Sequence, residues 1–325
     1  MATCLFRSPL AHRLQGFLET RPSRSRESSR PRALRLLDRF FLNELKPGQA
    51  VTLEVVARWV ESHKHLAPGT RADRIGIMRQ FCLYLSHFDP RTCIVCQHYL
   101  PHPRRHAPYI YSIKEVRHIM AAARKLGPPS RLRPWVVSTL IGLLYATGLR
   151  IGEALHLTLG DIDLRRRVIE VRKGKFGKSR YVPISHSTAR HLGAYLRRRR
   201  KAGFSTTATA PVFLNRFGAQ RTRPGFEPIF LQILRQLGLR GPKGQRGPRI
   251  HDLRHTFAVT RLLAWYRGGS HLGAKLPLLS TYLGHSSITG TEVYLHATAP
   301  LLERAGRRFH AYFAEPPAVR KAHPQ

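Results

Sequence analysis

The spacing of hydrophobic residues is helical along most of the chain and changes at one segment, which limits the folds available to it. Residues 168–185, VIEVRKGKFGKSRYVPIS, contain two short β-type runs around a loop of glycine and lysine. This pattern is typical of a β-hairpin. The flanking segments repeat hydrophobic residues at three- and four-residue intervals, as amphipathic helices do. The sequence therefore predicts a mainly α fold with a small antiparallel β-sheet.

The chain is strongly basic, with 56 Lys and Arg against 18 Asp and Glu and a formal charge of +38. Each cation that neutralises a phosphate releases condensed counterions, so the expected partner is a nucleic acid. A membrane-surface or heparin-like binder is the alternative. The sequence has no lysine-rich amphipathic anchor and no apolar run of spanning length, so we expect no membrane partner.

The first part of the chain predicts a helical unit over residues 33–90. Thr70 and Asp73 fit a capping box at the start of its last helix. Residues 1–32, rich in Arg and Ser in their second half, predict a basic flexible arm that touches nucleic acid, with a transit peptide as the alternative. Residues 91–108, rich in Pro, His and Arg, predict a linker.

The second part predicts a larger mixed α/β domain over residues 109–313, followed by a tail at 314–325. Ser112 and Glu115 form a capping-box pattern at its first helix. Gly148 ends an apolar helix in the manner of a C-terminal glycine.

The four cysteines are too few for a disulfide framework, which favours a reducing compartment, and the first thirty residues lack an apolar signal core. We therefore expect a cytoplasmic protein. Cys93 and Cys96, with His98 and His102 nearby, have the spacing of zinc ligands, but one such pair is a weak signal. We expect reduced cysteines here and no metal or other cofactor.

The stretch HDLRH places His251 and Arg254 three residues apart, on one face of a predicted helix, with Asp252 as the candidate N-cap. A helix N-terminus, an imidazole and a guanidinium that point the same way form an anion site. Such pairs are common in a basic chain, so this pair alone does not identify a function.

The pair belongs to an ordered series, Arg…Lys…His-x-x-Arg…Gly-His…Tyr. The other members of the series are Arg150, Lys175, His285 and Tyr294. The series resembles the tyrosine recombinase (phage integrase) family over roughly residues 109–310. The unit at 33–90 resembles the family's core-binding domain. The resemblance implies a two-domain architecture, with a helical core-binding domain and a mixed α/β catalytic domain.

The resemblance also implies roles for the residues of the series. Tyr294 is the expected nucleophile, because an activated tyrosine hydroxyl can attack a phosphodiester. Arg150 and Arg254 are expected to bind the non-bridging oxygens, where negative charge develops. His251 is the candidate acceptor of the tyrosine proton, with a phosphate contact as a second option, and His285 is a candidate donor to the scissile phosphate.

The hairpin loop supplies the remaining candidates. By resemblance, Lys175 is the general acid that protonates the leaving 5′-oxygen, with Lys173 as the second choice. Lys173, Lys178 and Arg180 are expected to contact DNA. Glu153, three residues after Arg150, is expected to orient that arginine, with an ordinary intrahelical ion pair as the alternative.

The function implied is site-specific recombination or integration of double-stranded DNA for a mobile element, by a covalent 3′-phosphotyrosyl intermediate and without metal or ATP. The enzyme is expected to act in the cytoplasm near the bacterial nucleoid. It is expected to form a homotetramer on two DNA sites, with residues 298–313 as a docking helix and accessory recombinases as further partners. Two alternatives remain: a catalytically silent DNA-binding protein of the same fold, and a type IB topoisomerase.

Overall fold

The computed structural model describes residues 5–20, 29–95, 108–127, 132–172, 179–269 and 271–284. The chain divides into two compact units, residues 1–106 and residues 107–325. Helices predominate, and the strands form a three-stranded antiparallel sheet, which confirms the predicted fold class. Within the described ranges, no helix has both the length and the apolar character needed to span a bilayer.

The helices of the first unit are α1 (Ala11–Thr20), α2 (Ser29–Glu44), α3 (Leu53–Ser62) and α4 (Pro68–Leu85). Their buried side chains form one core, in which the ring of Phe81 lies 5.6 Å from Phe17 and 5.7 Å from Phe41. The predicted capping box at Thr70 is wrong, because α4 begins at Pro68. Proline is favoured there because its fixed φ suits the first helical position and the amide it lacks would have no helical partner.

The prediction of a flexible arm is wrong for residues 5–20. Leu14 and Phe17 of α1 are buried in the core of the first unit. The backbone N–H groups of Arg7 and Ser8 donate to the carboxylate of Asp38 on α2 over 2.9–3.1 Å. The apolar face of α1 therefore holds this segment in the fold despite the basic composition that follows it.

The predicted linker also begins too early. The N–H of Cys93 donates to the carbonyl of Val51 over 2.8 Å. Val95 is buried, and its carbonyl accepts a hydrogen bond of 3.1 Å from Arg79 Nε. Residues 91–95 are therefore part of the first unit.

The helices of the second unit are α5 (Ile113–Arg124), α6 (Arg133–Thr147), α7 (Ile151–Leu155), α8 (His186–Lys201), α9 (Arg223–Gln236), α10 (Asp252–Arg267) and α11 (Leu272–Leu283). The apolar helix α6 packs against α5, α8 and α10, and buries Leu140, Ile141 and Leu144. Ser112 and Glu115 cap α5 reciprocally, as predicted.

The sheet consists of β1 (Ile162–Asp163), β2 (Val168–Val171) and β3 (Arg180–Pro183) in the order β1-β2-β3. Val171 pairs with Arg180 at one end of the β2–β3 pair, and Val168 pairs with Pro183 at the other. This register confirms the predicted hairpin. It places Arg180 next to the loop that joins the two strands.

Candidate active site

Gly148 directs the chain from α6 to the first arginine of the predicted series. Its φ of 62° lies in the left-handed region, and a Cβ at this position would lie 2.6 Å from Cδ1 of Phe257 and 3.0 Å from Cδ2 of Leu283. A glycine is therefore required by both conformation and space. Two residues later, Arg150 is the N-cap of α7.

Glu153 joins two arginines that are distant in sequence. Its carboxylate accepts hydrogen bonds from the N–H and Nη1 of Arg150, over 3.0 and 2.8 Å. It also accepts bonds from Nη1 and Nη2 of Arg180, over 3.0 and 2.9 Å. Only 6% of the Glu153 side chain is exposed. The carboxylate therefore fixes both guanidinium groups.

The charge of Glu153 is strongly stabilised by these partners. Burial alone would raise the pKa of the carboxyl, but the hydrogen bonds and positive charges of Arg180 and Arg150 outweigh burial and lower it to about 2. Glu153 is thus ionised throughout the physiological pH range.

The C-terminus of α11 lies among three arginines, each of which donates to a different carbonyl over 2.8 Å. Arg180 Nε bonds to Tyr282, Nη2 of Arg254 bonds to Leu283, and Nη2 of Arg150 bonds to Gly284. Helix C-termini carry partial negative charge, which favours these cations. Three consecutive carbonyls therefore bring Arg150, Arg180 and Arg254 to one place.

Arg254 lies on the first turn of α10 and is only 2% exposed. Its Nη1 donates to the carbonyl of Gly148 over 2.8 Å, so it links the end of α6 to the end of α11. The predicted N-cap differs by one residue: His251 holds that position, and Asp252 lies within the first turn, where Oδ2 accepts a 2.7 Å bond from the N–H of Arg249.

His251 stands beside this arginine cluster. The surrounding protein disfavours its charged form, and the positive charges of Arg254, Arg150 and Arg249 add to that effect, so its pKa is lowered to about 4. The residue is nevertheless exposed at the protein surface, where a substrate can reach it. At neutral pH the imidazole is therefore uncharged and able to accept a proton.

The structure thus brings Arg150, His251 and Arg254, three members of the predicted series, together with Glu153. It also places Arg180 here, which the sequence assigned to DNA contact. Its guanidinium is bound to Glu153 and to the Tyr282 carbonyl, so Arg180 supports the neighbouring groups.

The other predicted site residues, Lys173, Lys175, Lys178, His285 and Tyr294, lie outside the described residues, as do Cys96, His98 and His102 of the candidate zinc set. His285 directly follows Gly284, whose carbonyl Arg150 holds. Among the described residues, no group of three or more His, Cys, Asp or Glu side chains is placed to hold a metal ion.

Three guanidinium groups and one carboxylate give this locus an excess of positive charge. Guanidinium groups bind phosphate oxygens through short, charge-assisted hydrogen bonds. Fixed donors of this kind stabilise negative charge that develops in a transition state. With a neutral imidazole beside them, the described residues can bind a phosphate and accept a proton.

Comparisons with known proteins agree with this chemistry. The model of the phage integrase family matches residues 112–300. The chain is 37% identical over 279 residues to a putative integrase/recombinase, y4rB, of Sinorhizobium fredii, a match that covers 84% of this chain and 88% of that protein. It is 33% identical over 241 residues to the tyrosine recombinase XerC of Roseiflexus castenholzii, covering 72% of this chain and 69% of that protein.

A solved structure has a similar fold. The Tn1549 transposon integrase, in complex with transposon right end DNA, matches with a TM-score of 0.69 and 17% identity. The match covers 95% of this chain and 100% of that one.

Proposed function

The chain belongs to the phage integrase family of tyrosine recombinases, and from that premise we propose that it cuts and rejoins DNA through a covalent bond to Tyr294. The observation that carries this proposal is the convergence of Arg150, Arg254 and a neutral His251 at the C-terminus of α11. Tyr294 follows Gly284, the residue just after that helix, by ten residues.

In the proposed cleavage step, the Tyr294 hydroxyl oxygen attacks the scissile phosphorus and passes its proton to His251. The bond from phosphorus to the 5′-oxygen breaks, and Lys175 donates a proton to that oxygen. The products are a 3′-phosphotyrosyl bond and a free 5′-hydroxyl. Attack by a 5′-hydroxyl of a partner strand reverses the step and rejoins the DNA, so no external energy source is needed.

The guanidinium groups stabilise the charge that builds up during this step. The side chain of Arg150 is 23% exposed, and each of its terminal nitrogens carries a second hydrogen for a phosphate oxygen. Arg254 is buried beneath the site and adds positive charge there, where the local dielectric is low. His285, the next residue after Gly284, is proposed as a further donor to the phosphate.

Glu153 and Arg180 hold this arrangement in place. Glu153 fixes Arg150 from α7, and Arg180 fixes Glu153 from the edge of the hairpin. We propose that Lys173 and Lys178, in the loop between β2 and β3, contact the DNA backbone, where phosphate contacts position the enzyme without specifying a sequence.

We propose that the partner is double-stranded DNA and that the working form is a homotetramer on two DNA sites. The family supports this assembly, with residues 298–313 as the docking segment and other recombinases as accessory partners. The similarity to an integrase/recombinase, and the fold shared with a transposon integrase, support a role in a mobile element. Such an enzyme works where bacterial DNA is held, in the cytoplasm at the nucleoid.

A plasmid assay tests the proposal. A plasmid with two copies of the native element's end is incubated with the protein, and its products are separated by size and topology. Recombinant circles support the proposal. Relaxed topoisomers without recombinants indicate a topoisomerase, and firm binding without any change in the plasmid indicates a silent DNA-binding protein.

A further inference from the structure

A second basic site lies beside the turn between β1 and β2, at the opposite end of the strands from Arg180. The turn between β1 and β2 and the exposed face of α8 enclose a cleft of about 490 Å³. Its walls carry Arg165 and Arg167 from the turn and Arg190 and Arg197 from α8. Gly193 and His186 also line it.

The positive charge of this cleft is not neutralised within the described part of the chain. None of the four arginines forms an ion pair or a side-chain hydrogen bond with a described residue, and no acidic side chain lines the cleft. Arg166, the neighbour in the same turn, does pair with Asp163, at 3.8 Å. Four like charges that converge on one cleft repel one another, so the site favours a bound anion.

The cleft depends on close side-chain packing over Gly193. A Cβ on Gly193 would lie 3.3 Å from Cδ1 of Leu164 and 3.6 Å from Nη1 of Arg197, so the glycine leaves room for the Leu164 side chain from the turn and for a guanidinium that α8 itself carries. Arg167 has a φ of 57°, in the left-handed region that non-glycine residues rarely adopt, and its side chain supplies a wall of the cleft.

The arginines are spaced for an extended partner. Arg190 and Arg197 are seven residues apart, on the same face of α8 and separated by about 10 Å along its axis. Guanidinium groups recognise phosphate in particular, because their planar fork makes two parallel hydrogen bonds. No Phe, Tyr or Trp side chain lines the cleft, and a protein partner usually requires such an anchor.

The site is separate from the candidate active site. Val168 follows the turn that carries Arg165 and Arg167, whereas Arg180 pairs with Val171 at the opposite end of the strand pair. Three residues of strand separate the two ends by about 10 Å. A phosphate in the cleft is therefore not the phosphate held at Arg150.

We propose that this cleft binds the backbone of the same DNA duplex, beyond the stretch held at the active site. This inference rests on the proposed function only for its partner, DNA. It assigns the four arginines to a flanking contact that extends the protein's footprint and does not take part in cleavage.

The test compares the Arg190→Gln/Arg197→Gln double variant with a matched double variant, Lys114→Gln/Arg117→Gln. The control removes two equally exposed charges from α5, outside the cleft. Each protein is titrated with a nicked duplex series that grows by one helical turn at a time, in both directions, from the shortest duplex that wild type binds. The salt dependence of Kd and the rate of covalent adduct formation are measured for every length.

On the shortest duplex, the cleft variant is expected to match wild type in Kd and in the rate of adduct formation. On longer duplexes, wild type gains affinity and salt dependence, and the cleft variant loses about two units of the salt slope, because two phosphate contacts are missing. The α5 control should retain the wild-type gain with length.

Three results would overturn the inference: no gain with length in wild type, an equal loss for the cleft variant at every length, or an equal loss in the α5 control. A cleft variant that binds every duplex like wild type would also overturn it and would point to an acidic protein partner. Failure of the proposed function is distinct, because it appears as absence of the adduct in wild type on the shortest substrate.

Discussion

Replacing Glu153 by glutamine is expected to destabilise the second unit by about 3 kcal/mol. A pKa of about 2 in place of the ordinary 4.5 corresponds to about that free energy, at 1.36 kcal/mol for each pKa unit. Glutamine keeps the shape of the side chain and one acceptor oxygen. It leaves the guanidinium groups of Arg150 and Arg180 without their negative partner in a mostly buried site.

The effect should depend on pH in a defined direction. Because the folded-state pKa of Glu153 lies below its unfolded value, the ionised carboxylate contributes its full stability above about pH 4.5. That contribution is lost as the pH falls from about 4.5 towards 2. The difference in unfolding free energy between wild type and Glu153→Gln should therefore shrink over this range.

Urea unfolding followed by hydrogen exchange of peptides from α6 and α10 measures this difference for the second unit alone. The control is Glu170→Gln, whose partner Arg172 lies 3.1 Å away with 59% of its side chain exposed. Such an exposed pair should cost less than about 1 kcal/mol. Equal costs for the two variants, or a difference that does not change with pH, would refute the account of Glu153.

Three further predictions concern the turn, the base and the N-terminal helix. Gly148→Ala should destabilise the second unit by about 3 kcal/mol and slow cleavage, because its Cβ overlaps Phe257 at a φ of 62°. Gly152→Ala, whose Cβ lies in open space within α7, should not lower the urea midpoint. His251 should stay neutral, and able to accept the tyrosine proton, until the pH falls close to 4, so its protonation should not slow cleavage above that pH. A cleavage rate that rises as the pH falls through about 6.5 would instead indicate that the imidazolium is the reactive form. Deleting residues 1–20 should lower the free energy of unfolding of the first unit by about 3–5 kcal/mol, because Leu14 and Phe17 leave its core. Hydrogen exchange in α2 and α4 should then be faster, and unchanged exchange would contradict the packing of α1.

Features set by local sequence were predictable. The hairpin followed from two β-type runs around a glycine–lysine loop, and the register of β2 and β3 confirms it. The reciprocal cap of Ser112 and Glu115 and the left-handed Gly148 also followed from residue type and position, because both depend on a few neighbouring backbone groups.

The error at the N-terminus has a physical explanation. The run RPSRSRESSRPR predicted an arm, and that prediction was extended back over AHRLQGFLET. Leu14 and Phe17 are three residues apart in the latter segment, and this spacing alone indicates a buried helical face.

Contacts across long sequence separations were beyond prediction. Arg180 is 27 residues from Glu153, and their pairing depends on tertiary packing, in which β3 contacts α11. Glu153 was rightly expected to contact Arg150, since the two are three residues apart. The links from Arg254 and Arg150 to the carbonyls of α11 span 29 and 134 residues, and no periodicity in the sequence indicates them.

The most direct test of the central claim is covalent trapping on a nicked duplex that carries the element's end, followed by denaturing electrophoresis. Wild type and Tyr294→Phe are compared with Tyr282→Phe, whose ring stacks on Phe257 and whose hydroxyl donates to the carbonyl of Pro183. The account predicts a protein–DNA adduct with wild type and Tyr282→Phe, and none with Tyr294→Phe. An adduct that persists in Tyr294→Phe, or none in wild type despite firm binding, would contradict it.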